Sequence, residues 1–357
     1  MIDFRYHLVS LISVFLALAV GIALGAGPLK ETIGDTLTGQ VEQLRTEKDE
    51  LRGELDRTSG ELQEARGFID ASGERLLAGS LSGRRVAVLA LGAVDESVRT
   101  AVDERLTQSG AEVTAHATLT DAWYDPDVRS FRNQLAGLLA ENLDPAPAAD
   151  ATLDERLAQT LVQGLAGADP AAPDALSADA QNILAILTGG DNPLVSLQED
   201  VTTGADALVV LAVPVSESAQ EEAATPSPEA GAAVLEAQLA VLSAAQQLSE
   251  GAVLADGPRV EGSLVQAVLG DDALAGALTT VSDVQLASAQ ITVPLALAAR
   301  IGDVNGHYGS GDGETLVPDA VELTPVDRTP VVVEEQDDTS GDEGDAPDPD
   351  STTGTQG

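Results

Sequence analysis

A histidine and an aspartate that share one glycine-rich loop are the residues best placed for chemistry in this sequence. His307 and Asp312 lie within residues 306–313, which include four glycines. An imidazole with carboxylate oxygens can bind a divalent cation, but a tight site needs three or four converging ligands. The glycines equally suit a loop that packs closely against its own domain. We therefore predict only a weak metal site at His307 and Asp312, with His116, at the end of a predicted strand, as a third candidate ligand.

The sequence motifs of common enzymes are missing. The turn after the first predicted strand reads Gly92-Ala-Val-Asp-Glu-Ser97 and contains neither the glycine pattern of a dinucleotide site nor a P-loop. Asp95 and Glu96 would repel a phosphate and are better suited to begin a helix. The chain also has no nucleophile elbow, no His-Glu-x-x-His helix and no cysteine. We therefore predict that the protein is not an enzyme, and no residue pattern indicates a cofactor.

The amino-acid composition restricts both the kinds of partner that the chain can bind and the residues that can fill its core. The formal net charge is −41, so nucleic acid is excluded as a partner, because binding it requires many contacts from lysine and arginine to phosphates. The hydrophobic content of 43% can fill a core, but only 2% of residues are aromatic. Alanine, leucine and valine must therefore fill that core, which suits helices packed on a parallel sheet.

Residues 8–29 contain no charged side chain, and this length is enough to cross the hydrocarbon core of a bilayer. Arg5 precedes the segment, so the positive-inside rule predicts that residues 1–7 are cytoplasmic and that the bulk of the chain is extracytoplasmic. The alternative is a cleaved signal peptide, with Ala23 and Gly25 as the small residues before the cut. The apolar stretch exceeds a usual signal core, which favours an uncleaved, single-pass membrane anchor.

Residues 36–78 follow a heptad pattern of apolar residues that is typical of a coiled coil. In this register Glu47 and Glu61 occupy g positions and face Arg52 and Arg66 of a parallel, in-register partner. Small residues every four positions in the apolar segment would let two membrane helices approach closely. The alternative is one amphipathic helix packed on its own domain. The predicted interface of the parallel homodimer consists of Gly21, Gly25, Val41, Leu44, Leu51, Leu55, Leu62 and Ile69.

Residues 84–301 show short apolar runs separated by amphipathic stretches. The runs 85–91 and 207–213 are typical of strands buried on both faces, and helical patterns follow the strands. This alternation predicts a Rossmann-like domain of the α/β class with a parallel sheet. Residues 302–333 lack regular patterning and are expected to be an irregular segment. Residues 334–357 contain many acidic residues and no basic one, so we expect a disordered acidic tail.

Four segments of the sequence resemble the mycobacterial copper transporter B (MctB) family of actinobacterial envelope proteins. They are the opening residues Met1–Gly25, ArgValAlaValLeu at 85–89, ValSerAspValGlnLeuAlaSerAlaGlnIle at 281–291 and GlyHisTyrGlySerGly at 306–311. The resemblance extends over about residues 1–318. It implies a pore-forming role in copper efflux across the outer envelope. Members are also linked to cell separation, as membrane-anchored partners that regulate peptidoglycan cleavage.

Two functions are therefore expected as alternatives. The resemblance implies copper homeostasis or efflux in the cell envelope, with copper as the only ion suggested. The alternative is a non-catalytic, membrane-anchored coiled-coil scaffold for cell separation, whose partner is an envelope or cell-division protein. Tight copper(I) sites gather sulfur ligands, yet Met1 is the only methionine and cysteine is absent. We therefore expect copper binding by the chain itself to be weak.

Overall fold

The computed structural model describes residues 4–26, 28–212 and 228–331 of the chain. The chain falls into two compact units, of which the first ends at Ala71 and the second begins at Ser72. The acidic tail that was predicted to be disordered lies outside the described residues.

The N-terminal part of the chain is helical. Helix α1 covers Phe4–Ala26, a run of leucine, isoleucine, valine and alanine without a proline to interrupt it. Its span Phe4–Gly25 is long and apolar enough to cross a membrane. The helix begins before the predicted segment 8–29 because the polar residues that precede Leu8 continue the same helical turns.

Helix α2 covers Pro28–Leu77 and begins with a proline, which is favourable where no backbone donor is needed. Its 50 residues span about 75 Å at 1.5 Å per residue. Leu37 and Leu62 mark the ends of a stretch in which the large apolar heptad residues are exposed. The last turn belongs to the second unit, in which Leu77 is fully buried.

The second unit contains a seven-stranded sheet and a separate two-stranded hairpin, β3–β4. The strands in the described part of this unit are β1 Arg85–Ala90, β2 Glu112–Leu119, β3 Ala168–Asp169, β4 Ala172–Leu176, β5 Val195–Leu197, β6 Ala207–Leu211, β7 Ala252–Ala255, β8 Thr279–Val281 and β9 His307–Tyr308. The sheet order is β5-β2-β1-β6-β7-β8-β9, and only β5 is antiparallel to its neighbour. This is a doubly wound order whose direction reverses between β1 and β6. The predicted α/β class is confirmed, and the sheet, which was predicted to be parallel, is mostly parallel because β5 runs antiparallel to β2.

Helices cover both faces of this sheet. They are α3 Glu96–Gln108, α4 Asp121–Tyr124, α5 Arg129–Leu139, α6 Leu153–Ala166, α7 Ala178–Thr188, α8 Pro228–Gln247, α9 Leu264–Leu269, α10 Asp272–Ala277 and α11 Ala287–Ile301. One core cluster lies under α3 and α11, and another lies under α6, α7, α8 and α9. Strand β1 supplies both clusters, because Val86 and Val88 enter the first while Ala87 and Leu89 enter the second. Apolar residues are therefore required at successive positions of the central strands.

The second unit is larger than the predicted segment 84–301. It begins earlier, because Leu77 and Leu81 are fully buried in it. It also extends further, since His307–Tyr308 forms β9 on the edge of the sheet inside a stretch predicted to be irregular. Two residues are too few to give a periodic signal in the sequence.

Residues 316–331, called the C-terminal strap below, carry no helix or strand. At its start the strap is fixed by the Thr292 hydroxyl, which donates to the Leu316 carbonyl at 3.1 Å. At its end the Val331 amide donates to the Pro170 carbonyl at 2.8 Å. The irregular segment is therefore tied to the second unit by hydrogen bonds.

Candidate functional site

The His307 imidazole has a partner on each ring nitrogen. Nε2 lies 3.1 Å from the Ala275 carbonyl, which can only accept, so Nε2 carries the proton and donates. Nδ1 lies 2.9 Å from the Thr280 hydroxyl and accepts from it in the neutral ring. Burial lowers the pKa of His307, which favours the neutral ring. No lone pair of this imidazole is left for a metal ion in this arrangement.

The carboxylate that folds into the glycine-rich loop belongs to Glu314. Its Oε2 accepts from the Gly311 amide at 2.8 Å and from the Ser282 hydroxyl at 3.1 Å. Its Oε1 is buried without a hydrogen-bond partner. Asp312, which the sequence suggested as a ligand, is exposed, and its backbone carbonyl accepts from Arg259 at 2.8 Å. Glu314 and Ser282 therefore form the polar centre of this loop.

The glycines of the loop are explained by close packing. A Cβ at Gly309 would overlap the Ser282 hydroxyl and lie 2.5 Å from Glu314 Oε2. A Cβ at Gly311 would lie 2.7 Å from the same carboxylate oxygen. A Cβ at Gly306 would overlap the Tyr308 ring. The sequence allowed either a metal loop or a loop packed on its domain, and these contacts support the packed loop.

His116 lies on β2, on the other side of the switch point from His307. Its Nε2 is 3.0 Å from Asp103 Oδ2, and Arg99 Nη1 donates to the same oxygen at 3.2 Å. A carboxylate bound to one ring nitrogen fixes the tautomer and leaves the other nitrogen as an acceptor. His116 therefore keeps one nitrogen that could bind a metal, but it lies on a different strand from His307.

The three predicted ligands do not form one site. Among the described residues there is no group of three or more histidine, cysteine, aspartate or glutamate side chains arranged to hold a metal ion. His307 uses both ring nitrogens for other partners, the Asp312 side chain is exposed, and His116 belongs to a separate pair. Copper binding at these residues stays a prediction for titration.

Two carboxylates that the sequence did not single out have well-defined partners. Asp206, just before β6, accepts from the Arg85 amide at 2.8 Å and from Arg328 Nη2 at 2.7 Å. Asp256, just after β7, is 2% exposed, and its side chain accepts from the Val265 amide at 3.0 Å. Burial raises the pKa of Asp256, while its backbone hydrogen bonds oppose that shift. In both cases the sequence shows an aspartate directly beside an apolar run that is typical of a buried strand, and this position could have marked the two residues as candidates.

Most of the predicted dimer residues have open surroundings. A Cβ added at Gly21 or Gly25 would meet nothing within 4 Å. Five of the six predicted stalk residues are exposed, and Ile69 is half-buried. The exposed five are Val41, Leu44, Leu51, Leu55 and Leu62. These positions are accessible in the single chain.

The family model and the relatives that match this chain all carry the same family name. The family model described as "Copper transport outer membrane protein, MctB" matches residues 1–318. The protein named "Copper transporter MctB" in Mycobacterium tuberculosis is 28% identical over 325 residues, which cover 89% of this chain and 99% of that protein. The protein of the same name in Mycobacterium leprae is 30% identical over 332 residues, with the same coverage of both chains.

The family's description names transport and no chemical reaction. The resemblance identified in the sequence is confirmed, and it covers the apolar N-terminal helix, α2 and the α/β unit alike. The chain belongs to the MctB family of copper transport outer membrane proteins.

Proposed function

We propose that this chain acts in copper homeostasis of the cell envelope as a membrane-anchored homodimer, whose two α2 helices form a parallel coiled coil. The family match over residues 1–318 supports the role in copper homeostasis. The exposed heptad stripe on α2 supports the dimer, and it is the single structural observation on which the architecture depends.

The stripe exposes large apolar side chains along one face of α2. Leu44, Leu51 and Leu55 are 63–65% exposed. Fully burying a leucine side chain contributes about 1.5–3 kcal/mol, so a second stripe packed against this one gains free energy at every layer. A second copy of the same helix supplies such a stripe in the same register.

The charges beside the stripe favour a parallel arrangement. In a parallel pair Glu47 faces Arg52 of the second copy, and Glu61 faces Arg66. Among the described residues of one chain, Glu61 lies 4.0 Å from Arg57, and both side chains are 70% exposed. Such an exposed pair contributes little to stability, which leaves Glu61 available for a partner helix.

Helix α1 fits the same arrangement. Its length and composition suit a membrane span, and Arg5 on its N-terminal side favours a cytoplasmic N-terminus with the bulk of the chain extracytoplasmic. The open surroundings of Gly21 and Gly25 would let a second α1 approach closely.

The role in copper homeostasis is tested in the host bacterium by deleting the gene for this chain. We expect lower copper tolerance and higher cellular copper, both restored by the wild-type chain. A variant with Leu51 and Leu55 changed to glutamine should restore neither, because it loses two layers of the proposed coiled coil. Unchanged copper tolerance and content in the deletion strain would contradict the copper proposal.

A second candidate is a non-catalytic scaffold for cell separation that regulates a peptidoglycan hydrolase. The exposed stripe on α2 is the observation that favours it, since an apolar helix face can also bind a helix of another envelope protein. In that case the deletion strain would separate poorly at normal copper tolerance. Purification of the full chain from envelope extracts should then recover a hydrolase that the Leu51 and Leu55 variant does not retain.

A further inference from the structure

Residues 78–84, called the connector below, join the end of α2 to β1. The connector contains two glycines with positive φ, Gly79 at +80° and Gly83 at +73°. Residues with a side chain rarely adopt this conformation, so each glycine lets the backbone turn sharply. Leu81, between the two glycines, is fully buried. The path from α2 into the sheet is therefore set by two turns around one buried side chain.

One set of hydrogen bonds joins the connector to the turn between α3 and β2. The Leu81 amide donates to the Ser109 carbonyl at 3.0 Å, and the Gly83 amide donates to the Gly110 carbonyl at 3.2 Å. A Cβ at Gly110 would lie 3.3 Å from the Ser82 Cα, so this turn passes close to the connector. These bonds use backbone groups alone, and they support the connector from within the α/β unit.

A second set of hydrogen bonds joins the connector to the C-terminal strap. Arg84 Nη1 donates to the Thr324 carbonyl at 3.2 Å. Arg328 Nη2 donates to the Gly83 carbonyl at 3.0 Å, and the same nitrogen donates to the Asp206 carboxylate at 2.7 Å. Two arginine side chains therefore connect the strap, the connector and the start of β6.

The strap buries little apolar surface of its own. Leu323 packs against a core cluster but is only half-buried. Leu316, Val317 and Val331 are 70%, 49% and 59% exposed. A segment with few buried apolar contacts can open locally while the rest of the protein stays folded. We therefore expect the strap to open at a lower free energy than the sheet.

We propose that the C-terminal strap is a latch on the connector. When the strap is closed, its bonds to Arg84 and Gly83 fix the connector and so help to hold the end of α2 on the α/β unit. When the strap opens, the connector loses these bonds and keeps those to the turn between α3 and β2, while the strands remain paired. Displacement of the strap, for example by a protein that binds it, thus reaches the end of α2 without unfolding the sheet. The latch depends neither on the proposed dimer nor on copper.

Hydrogen exchange of the full chain in detergent micelles, measured by mass spectrometry at low urea concentrations, tests the latch. Exchange in the connector should depend less on urea than exchange in β7, because opening of the strap exposes little surface. Arg328→Ala should speed exchange in the connector at least about tenfold, since the strap loses charge-assisted hydrogen bonds. Asp327→Ala is the matched control and should leave this exchange unchanged, because Asp327 accepts from Thr329 within the strap. The same urea dependence in the connector and in β7, or no effect of Arg328→Ala, would overturn the proposal.

Trypsin gives a second measurement that needs no substitution. Arg328 is the first basic residue after Arg300 and the last in the chain, so cleavage after it is easily identified by mass. Both arginines are half-buried, but Arg300 lies in the last turn of α11. A locally opening strap should be cut after Arg328 at least about tenfold faster than the chain is cut after Arg300. Equal rates at the two arginines would show that the strap opens only when the whole unit unfolds, and would overturn the latch.

Discussion

Arg328 and Asp206, 122 residues apart in sequence, form a two-pronged ion pair at the amino end of β6. Arg328 Nη2 donates to Asp206 Oδ2 at 2.7 Å, and Nη1 donates to Oδ1 at 3.2 Å. The same guanidinium donates to the Gly83 carbonyl at 3.0 Å. The pair is mostly buried, with side-chain exposures of 23% and 14%. It joins the C-terminal strap to the strand at the centre of the sheet.

Replacing Arg328 with alanine should destabilise the second unit by about 1–3 kcal/mol, because a buried carboxylate loses two charge-assisted hydrogen bonds. Thermal unfolding of the full chain in detergent measures the loss. Arg129→Ala is the control, since Arg129 is exposed on α5 and its replacement should change stability by less than about 0.5 kcal/mol. Equal melting temperatures for the two variants would show that the ion pair contributes nothing.

Replacing Gly309 with alanine should dislodge the Glu314 carboxylate, because the new methyl group would overlap the Ser282 hydroxyl. Overpacking of this kind costs about 1–3 kcal/mol. Gly92→Ala provides the control, because nothing lies within 4 Å of a Cβ at Gly92. Chemical denaturation should separate the two variants, and an unchanged midpoint for Gly309→Ala would mean that the loop has room to move.

The half-buried His307 should make the protein less stable as the pH falls. Burial lowers its pKa in the folded chain, so the unfolded chain binds a proton more readily below about pH 6.5. The stability that His307 contributes is therefore present above that pH and is lost as the pH falls through the lower folded pKa.

His307→Gln isolates this effect, because a glutamine amide can still donate to Ala275 and accept from Thr280. The wild-type chain should lose more stability than this variant when the pH is lowered from 7 to 5. Parallel loss in both chains would assign the acid sensitivity to other groups, such as the many surface carboxylates.

Copper titration of the full chain at moderate salt should show no tight one-to-one site. His307 uses both ring nitrogens, and His116 has one nitrogen bound to Asp103. Uptake by the acidic surface should weaken as salt rises, since screening reduces such attraction. His116→Ala and His307→Ala should bind copper about as well as the wild type. A salt-resistant stoichiometric site lost in either variant would reverse this conclusion.

Charge reversal in the stalk should reveal the orientation of the proposed dimer. Glu47→Arg places a positive charge opposite Arg52 of the second copy and should weaken association by roughly 0.5–1 kcal/mol. Adding Arg52→Glu to the Glu47→Arg variant should restore most of the lost association free energy. Sedimentation of the full chain in detergent checks both variants. Weakening without restoration would point to an antiparallel or differently registered pair.

The central strands could be predicted from sequence because parallel strands buried on both faces are continuous apolar runs. Ala207–Leu211 is such a run, and all five of its residues are buried. The strands β5 and β9 could not be predicted, since Val195–Leu197 and His307–Tyr308 become strands only by pairing with a sheet that is already formed. Tertiary pairing, rather than local preference, determines these two edges.

The polar centre of the glycine-rich loop was only partly predictable. The sequence placed His307, Asp312 and Glu314 within eight residues of one another. Which carboxylate turns inward depends on the path of the backbone, and Gly313, with a φ of +83°, directs the chain so that Glu314 reaches Ser282. The sequence alone does not reveal this turn, because Gly313 is one of four glycines in the loop and nothing distinguishes it from the others.

The long-range pairing of Arg328 also has a consequence for the order in which the chain is made. Asp206 is synthesised 122 residues before Arg328, its guanidinium partner. Arg84 is synthesised 240 residues before Thr324, whose carbonyl accepts its hydrogen bond. The amino ends of the central strands β1 and β6 therefore lack these bonds while the chain is still growing. A nascent chain interrupted just before residue 324 would contain all seven strands described in the sheet yet lack the bonds that the strap makes at the amino ends of β1 and β6. Synthesis of residues 324–328, rather than completion of the sheet, is the step that supplies these bonds.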